Sequence, residues 1–263
     1  MPKTYYYTDF TDDLVSTKNQ SKKVPQNYKW IKTNPFYITL GSFLFLILKI
    51  FGFFYAKIVH NLKIEGKDKL KSYIKNQKSH KLPSGYYIFA NHTQMLGDVF
   101  NPALYSPVHP YYVCDSSNLG IPILGPILPM VGALPIPDSI RGKKQLFDAI
   151  STRAKQGKAI VIYPEAHLWP YYTKIRPFET TAFNFPVRDN LPIFTATTTY
   201  QKKKNREKPR LTIFIDGPFI PDLELPKKDC LKKLHDQVYQ QLVKRSELSD
   251  TEYITYQKKS TDN

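Results

Sequence analysis

A chain of 263 residues with 41% hydrophobic content is long enough to bury one sizeable core and too apolar to be disordered throughout. Its 38 Lys and Arg against 22 Asp and Glu, a formal charge of +16, point to a polyanionic partner: nucleic acid, an anionic membrane surface, or phosphorylated and acidic substrates. The two cysteines, Cys114 and Cys230, stand far apart without metal-ligand spacing; they argue against a disulfide framework or a zinc site and fit a reducing, cytosolic setting.

Residues 1–35 are polar, carry six lysines, and lack an apolar core or a cleavage site, so no secretory signal is read there. Without sustained periodicity, they are expected to form a loosely ordered N-terminal arm. The segment 36–60 opens with FYITLGSFLFLILKIFGFFYAKIV, which as a helix at about 1.5 Å per residue reaches across a hydrocarbon core of about 30 Å. Lys49 sits in its middle, and a lysine at mid-bilayer costs about 2.5 to 3.5 kcal/mol. A membrane-spanning helix therefore competes with a helix or bent helix pair dipping into one leaflet. A buried helix of a soluble core is the third reading, disfavoured by a run that is apolar on all sides. Eight lysines lie between Lys57 and Lys81; residues 61–84 are read as a basic linker, solvated or resting on anionic head groups.

Residues 85–250 alternate short β-like runs with helical ones, which predicts an α/β domain with a mainly parallel sheet flanked by helices. The expected strands are Tyr86–Ala90, Tyr111–Cys114, Ala133–Ile136, Ala159–Tyr163, Ile193–Tyr200 and Leu211–Asp216. One helix is capped by Asp138 or Ser139, turns Phe147, Ile150 and Ala154 to one face, and is closed by Gly157. Another, over about Lys228 to Arg245, aligns Leu231, Leu234, Val238 and Leu242 for core contact. The basic run KKKNREKPR, Lys202–Arg210, reads as a solvated hairpin tip or loop between two strands, and 251–263 as a polar tail.

Chemistry concentrates where the strand in YYIFANHTQMLGD ends on Asn91 and His92, with Asp98 six positions after the histidine. A histidine at a strand end is held rigidly yet exposed at a sheet edge, a usual place for an α/β active site. An imidazole suits proton abstraction at neutral pH when a carboxylate fixes its tautomer. The stretch AIVIYPEAHLWP repeats the design, delivering Glu165 beside His167. Two strands ending in polar groups imply a shared cleft. His167 also reads as a packed loop residue, and Trp169, Tyr171 and Tyr172 read either as a sugar or lipid head-group surface or as plain packing.

ANHTQMLGD resembles the Asn-His-x4-Asp block of the glycerolipid acyltransferases, the family of 1-acylglycerol-3-phosphate acyltransferase, and IVIYPEAH resembles its Phe-Pro-Glu-Gly-Thr-Arg block. VGALPIPDS (Val131–Ser139) is similar to the second block and LPIFTAT (Leu191–Thr197) to the fourth. The resemblance implies a glycerol-phosphate acyltransferase-like fold with a membrane-binding segment ahead of it. It implies an O-acyltransferase of phospholipid synthesis or remodelling, on the cytoplasmic face of the cell membrane. Acyl-CoA or acyl carrier protein would be the donor substrate, a lysophosphatidic-acid-like lipid the acceptor, with no metal or cofactor. Residue by residue, His92 would be the general base, Asp98 its support, and Glu165 part of the acceptor site with Asn91 and His167.

Several positions depart from the family's pattern. The His92-to-Asp98 spacing is one residue longer, with Gly97 the inserted residue. On a regular helix residues six apart lie about 120° from each other, so the pair meets only if the segment is partly loop or bulged. Ser139 and Leu168 stand where the family has arginines that hold the acceptor's phosphate, and Ala166 and Thr195 replace a glycine and a proline. Arg141, Lys174 and Arg176 are candidate substitutes for phosphate binding. The alternatives are an acceptor without a phosphomonoester, such as a lysophospholipid or glycolipid, or a non-catalytic lipid-binding member of the family. A nucleic-acid partner rests on charge alone, with basic residues spread along the chain and no recognised motif.

Overall fold

The structure, a computed structural model, describes residues 3–15, 22–204 and 206–259. Its elements run in chain order β1 (Lys3–Tyr7), α1 (Pro35–His60), β2 (Lys63–Glu65), α2 (Lys67–Ser79), β3 (Tyr86–Ala90), α3 (Gly97–Tyr105), β4 (Pro110–Asp115) and α4 (Leu124–Ile127). Then come β5 (Ala133–Ile136), α5 (Ile140–Lys155), β6 (Ala159–Ile162), α6 (Asn184–Asp189), β7 (Ile193–Gln201), β8 (Arg210–Phe219), α7 (Lys227–Ser246) and β9 (Ile254–Lys258).

Seven strands form one sheet in the order β2-β8-β7-β3-β6-β4-β5. From β7 to β5 neighbouring strands are parallel, whereas β8 runs antiparallel to β7 and β2 follows β8. This is the expected mainly parallel α/β sheet, with every predicted strand present. The central strand β3 is buried along its whole length, as a strand covered on both faces must be. Alternation divides its side chains: Tyr87 and Phe89 join Ile160 and Ile162 beneath α5 and α7, while Tyr86, Ile88 and Ala90 join Ala159 and Val161 beneath α2 and α3. Ser139 caps α5 by accepting the Gly142 N–H at 3.1 Å, and Gly157 follows the helix at φ +77°. Both were legible as helix punctuation. The described residues of the basic run fall between β7 and β8, as expected, with Arg210 opening β8 and Asn205 outside the described residues.

Helix α1 is one continuous helix, not a bent pair. Asn34 Oδ1 accepts the Tyr37 N–H at 3.1 Å and Pro35 occupies the first turn. It lies along the body through its small residues. A Cβ on Gly41 would come within 2.5 Å of the Met130 carbonyl oxygen, and one on Gly52 within 2.7 Å of Phe100 Cβ. Most of the remaining circumference is bare: Phe36, Phe43, Phe54 and Ile58 are more than half exposed. Among the described residues it is the one helix long and apolar enough, by length and composition, to cross a membrane.

Three segments are more ordered than the sequence suggested. The N-terminal arm contributes β1, which pairs in parallel with β9 from the segment read as a polar tail, Lys3 opposite Ile254 through Tyr7 opposite Lys258. Trp30 of the same arm is buried and donates from Nε1 to the Pro135 carbonyl at 3.0 Å. Residues 1–2 and 16–21 of the arm and 260–263 of the tail lie outside the described residues. The basic linker holds β2 and α2; there Lys63 pairs with Glu65, Lys67 donates to the Leu104 carbonyl and Lys69 reaches Asp216. Lysine at an amphipathic helix surface hides its stem while its charge stays wet, so charge density alone concealed the helix.

Asp216 fastens α2 and α7 to β8, accepting from Lys69 Nζ at 2.7 Å, Gln241 Nε2 at 2.8 Å, and Arg245 Nε and Nη2 at 2.7 and 2.9 Å. Burial works to raise this carboxyl, but the hydrogen bonds from Arg245 and Lys69 outweigh it and hold it well below the usual carboxylate range. A carboxyl whose pKa is lower folded than unfolded adds stability above about pH 4 and loses it as the pH falls further. Asp216→Asn is therefore expected to cost roughly 2 kcal/mol at pH 7 and much less at pH 2. Urea midpoints at the two pH values check this, and an equal deficit at both would refute it.

Candidate active site

The parallel strands bring their carboxyl ends to one edge, and the candidate residues gather there. His92 lies just beyond β3 in an irregular stretch over 91–94; a turn at Met95 and Leu96 precedes α3, whose second residue is Asp98. That loop closes the long His92-to-Asp98 spacing. Asp98 Oδ2 lies 2.8 Å from His92 Nδ1 and also accepts the backbone N–H groups of Thr93 and Gln94, each at 2.9 Å. Its place in the first turn of α3 adds the favourable helix dipole. The Asp98 side chain is 5% exposed and that of His92 23%, so the carboxylate is dry while the imidazole remains open. Nε2 has no hydrogen-bond partner among the described residues. Gly97 is not needed here for an unusual backbone angle. It is needed for space, because a Cβ would meet Gln94 Cβ at 2.8 Å and Asn101 Nδ2 at 2.9 Å.

Tyr163, the residue after β6, stacks on the imidazole with ring centroids 4.4 Å apart and planes 23° from parallel. Its hydroxyl donates to the Asp98 main-chain carbonyl at 2.5 Å. One side chain thus braces both members of the pair.

Glu165 is buried two residues further on. Its Oε1 accepts the Arg176 N–H at 3.0 Å; its Oε2 accepts from Arg176 Nη2 at 3.1 Å and from the His92 N–H at 3.2 Å. Arg176 donates onward to the carbonyls of His167 and, at 3.0 Å, Phe10, and lies over the Trp169 ring. Both side chains of this ion pair are 1% exposed. The loop after β6 is further sewn to the histidine loop by Trp169 N–H to the His92 carbonyl, 3.0 Å, and Tyr171 N–H to the Thr93 carbonyl, 2.9 Å.

Asn91 is buried and faces β7, donating to the Thr198 carbonyl at 3.0 Å and accepting its N–H at 2.8 Å. Its amide continues the strand pairing where the backbone of β3 has turned away. His92, Asp98, Glu165 and Arg176 therefore form one hydrogen-bonded set, with His167 joined through its main-chain carbonyl, whereas the Asn91 amide, expected at the acceptor site, is spent on β7. Arg141, in the first turn of α5, and Lys174, on the loop after β6, are exposed and make no ion pair among the described residues. The hydroxyl of Ser139 is engaged as the α5 cap. Of the aromatic cluster, Trp169 is fully buried, stacked on Tyr256 at 5.1 Å and donating from Nε1 to the Asp12 carbonyl at 2.9 Å.

Sequence reasoning missed Tyr163, the clamp by β1 and β9, and Tyr200. Buried Tyr200 donates to Thr93 Oγ1 at 2.7 Å and receives Gln94 Nε2 at 2.9 Å. The run Tyr5-Tyr6-Tyr7 carried a signal, since three successive aromatics favour a strand over a loose arm.

No protein-family model matches the chain, and no curated protein matches it significantly. A solved structure does: the crystal structure of the 1-acyl-sn-glycerophosphate (LPA) acyltransferase PlsC from Thermotoga maritima, with a TM-score of 0.58 and 12% identity over 81% of this chain and 83% of that one. The chain has the fold of that acyltransferase. The shared architecture includes the mainly parallel sheet and extends over most of both chains.

Ala166 occupies φ 62°, the left-handed region, on the exposed loop beside Glu165. A Cβ costs about 1 to 2 kcal/mol there, partly offset by the greater chain entropy that glycine loses. Ala166→Gly is expected to stabilise the fold by about 0.5 to 1 kcal/mol, read from urea unfolding. Tyr163→Phe keeps the ring and removes the buried hydroxyl bond, with an expected loss of about 1 kcal/mol; no loss would mean the Asp98 carbonyl finds another donor.

Proposed function

We propose that the chain is a membrane-associated O-acyltransferase that moves a fatty acyl group from an acyl thioester to a hydroxyl of a glycerolipid, in phospholipid synthesis or remodelling. The observation that carries the reading is the His92 imidazole, held at Nδ1 by a dry Asp98 carboxylate and open at Nε2. That arrangement fixes the tautomer that can accept a proton at Nε2. His92 removes the proton from the acceptor hydroxyl as its oxygen bonds to the thioester carbonyl carbon. When the tetrahedral centre collapses, the carbon–sulfur bond breaks and the imidazolium returns the proton to the departing thiolate. Asp98 stabilises the imidazolium between these events. A thioester is already activated, so holding two substrates beside one base supplies most of what the reaction needs.

The donor is acyl-CoA or acyl carrier protein, and the acceptor a lysophosphatidic-acid-like lipid. The protein works on the cytoplasmic face of the cell membrane in this reading, and the bare apolar face of α1 supports contact with a membrane. Arg176 is engaged by Glu165, leaving exposed Arg141 and Lys174 as the cations for an acceptor phosphate. A second reading follows from the same facts. With Leu168 and the capping Ser139 in the two arginine positions, the acceptor is a phosphodiester or glycolipid that needs no dedicated phosphate clamp. Loss of catalysis altogether, leaving a lipid-binding protein, is the third outcome.

Transfer from labelled acyl-CoA to lysophosphatidic acid, a lysophospholipid and a glycolipid, by detergent-purified protein, separates these. His92→Ala is expected to reduce kcat/KM by about 10² to 10⁴-fold with binding to lipid vesicles unchanged. Asp98→Asn is expected to lower kcat with little change in KM. Near-normal turnover of His92→Ala would end the assignment of the base. Absence of transfer to every acceptor would leave the lipid-binding reading.

A further inference from the structure

We propose that the β7–β8 hairpin tip is an anionic-lipid docking element that, together with the end of α1, fixes how the protein sits on a bilayer. The inference rests on the membrane-docking part of the function above and is independent of catalysis. Residues 202–210 hold six cations, Lys202, Lys203, Lys204, Arg206, Lys208 and Arg210, against the single acid Glu207. None of these cations forms an ion pair among the described residues, and Lys202, Lys204, Arg206 and Lys208 are exposed.

Topology puts this charge at the candidate active-site edge. Ala90 pairs with Ala196, and β7 continues to Gln201, so the tip projects about 16 Å past the end of β3 at about 3.3 Å per residue. There it touches α1. Arg206 Nη1 donates to the Ile58 carbonyl at 3.1 Å, one of the last-turn carbonyls that a helix leaves unpaired. Burial first, and then the nearby Lys208 ammonium, push the imidazole of His60, the last residue of α1, down to about 4. Immediately beside this contact, Phe53, Phe54 and Ile58 are 53%, 55% and 65% exposed.

Cations bordering exposed aromatics and aliphatics match the layering of a bilayer, with phosphates outside hydrocarbon. A duplex nucleic acid offers the phosphates without the apolar layer, and so leaves the α1 face unexplained. The other basic cluster is differently placed. Tyr73 of α2 donates to the Gly85 carbonyl just before β3, so Lys75, Lys78 and Lys81 lie toward the opposite edge of the sheet. They supply an internal control of equal charge.

The experiment is sedimentation of the full chain with phosphatidylcholine vesicles, with and without phosphatidylglycerol, across a salt series. Two triple variants are compared: Lys202→Gln, Lys204→Gln and Lys208→Gln on the hairpin, and Lys75→Gln, Lys78→Gln and Lys81→Gln on α2 and the turn just after it, called the α2 variant. The hairpin variant is expected to lose about tenfold or more in affinity for anionic vesicles and to keep its affinity for neutral ones, while the α2 variant changes by about twofold or less. Equal losses in both variants, no effect of either, or loss of neutral-vesicle binding would overturn the proposal. So would a salt-sensitive shift of labelled duplex DNA that the hairpin variant abolishes and phosphatidylglycerol does not compete. Acyl transfer in detergent is scored on the same preparations. Hairpin-dependent binding without turnover would sink the enzyme reading alone, and turnover with no hairpin effect would sink this one alone.

Discussion

A carboxylate and a guanidinium, both almost wholly removed from water, organise this molecule around the Glu165–Arg176 pair. Charges in a dry interior cost least when hydrogen bonds surround them, and here every donor nitrogen of the guanidinium except Nε has a partner among the described residues. The hydrogen bonds of the pair recruit partners from distant parts of the chain: the His92 backbone N–H, the His167 carbonyl, and the Phe10 carbonyl of the N-terminal arm. Trp169 closes the flat face of the guanidinium, and Tyr7 and Tyr256, from strands at the two ends of the chain, lie against that indole. The termini clamp a loop whose carboxylate in turn holds the amide of the candidate base. Removing either charge would leave the other buried alone, a loss of roughly 3 to 5 kcal/mol, so Glu165 and Arg176 act on His92 by holding its loop.

That constraint bears on acceptor chemistry. A guanidinium enclosed by Glu165, two carbonyls and an indole is not free to form a two-pronged bond to a phosphate. The hydroxyl of Ser139 holds the start of α5, and Leu168 offers no donor beyond its backbone. The exposed cations that remain, Arg141 and Lys174, sit on separate elements, one on a helix and one on a loop. Recognition of a terminal phosphate by them would rely on flexible side chains rather than on a rigid, prepaired fork. The hydrogen bonds of the His92–Asp98 pair do not involve these exposed cations, because Asp98 is satisfied by the backbone of its own loop. On the proposed mechanism, the same base could therefore serve acceptors with different head groups.

The legible parts of the fold were those whose signals are local. Near-continuous apolar runs marked the buried strands, Ser139 and Gly157 marked the ends of α5, and the leucine stripe marked α7. His92 was legible because it ends such a strand. The β1–β9 pair was not, since it joins residues about 250 positions apart in two short tyrosine-bearing runs that resemble any polar terminus. Helix α2 hid behind its lysines. Arg176 read as either a phosphate clamp or a solvated cation because a sequence displays a cation's charge and not its burial; it is buried against Glu165. Gly97 was read as a bulge residue, whereas the structure gives it the tight spot between Gln94 and Asn101.

Helix α1 raises a geometric question that length and hydropathy leave open, whether it stands across a bilayer or lies in its surface. Contacts to the body include Gly41 against Met130, Phe45 beside His109, Gly52 against Phe100 and Ile58 under Arg206, and buried His60 lies beside Tyr171. At about 1.5 Å per residue Gly41 to Ile58 is about 25 Å of helix held lengthwise against the protein. Standing the helix upright would carry α3, which packs on Gly52 through Phe100, into hydrocarbon, where uncompensated polar groups cost several kcal/mol. Lying it in the interface instead puts the bare aromatic face into one leaflet and keeps half-buried Lys49 within reach of head groups. Docked lengthwise by its glycines, α1 suits lying along a bilayer surface better than crossing one.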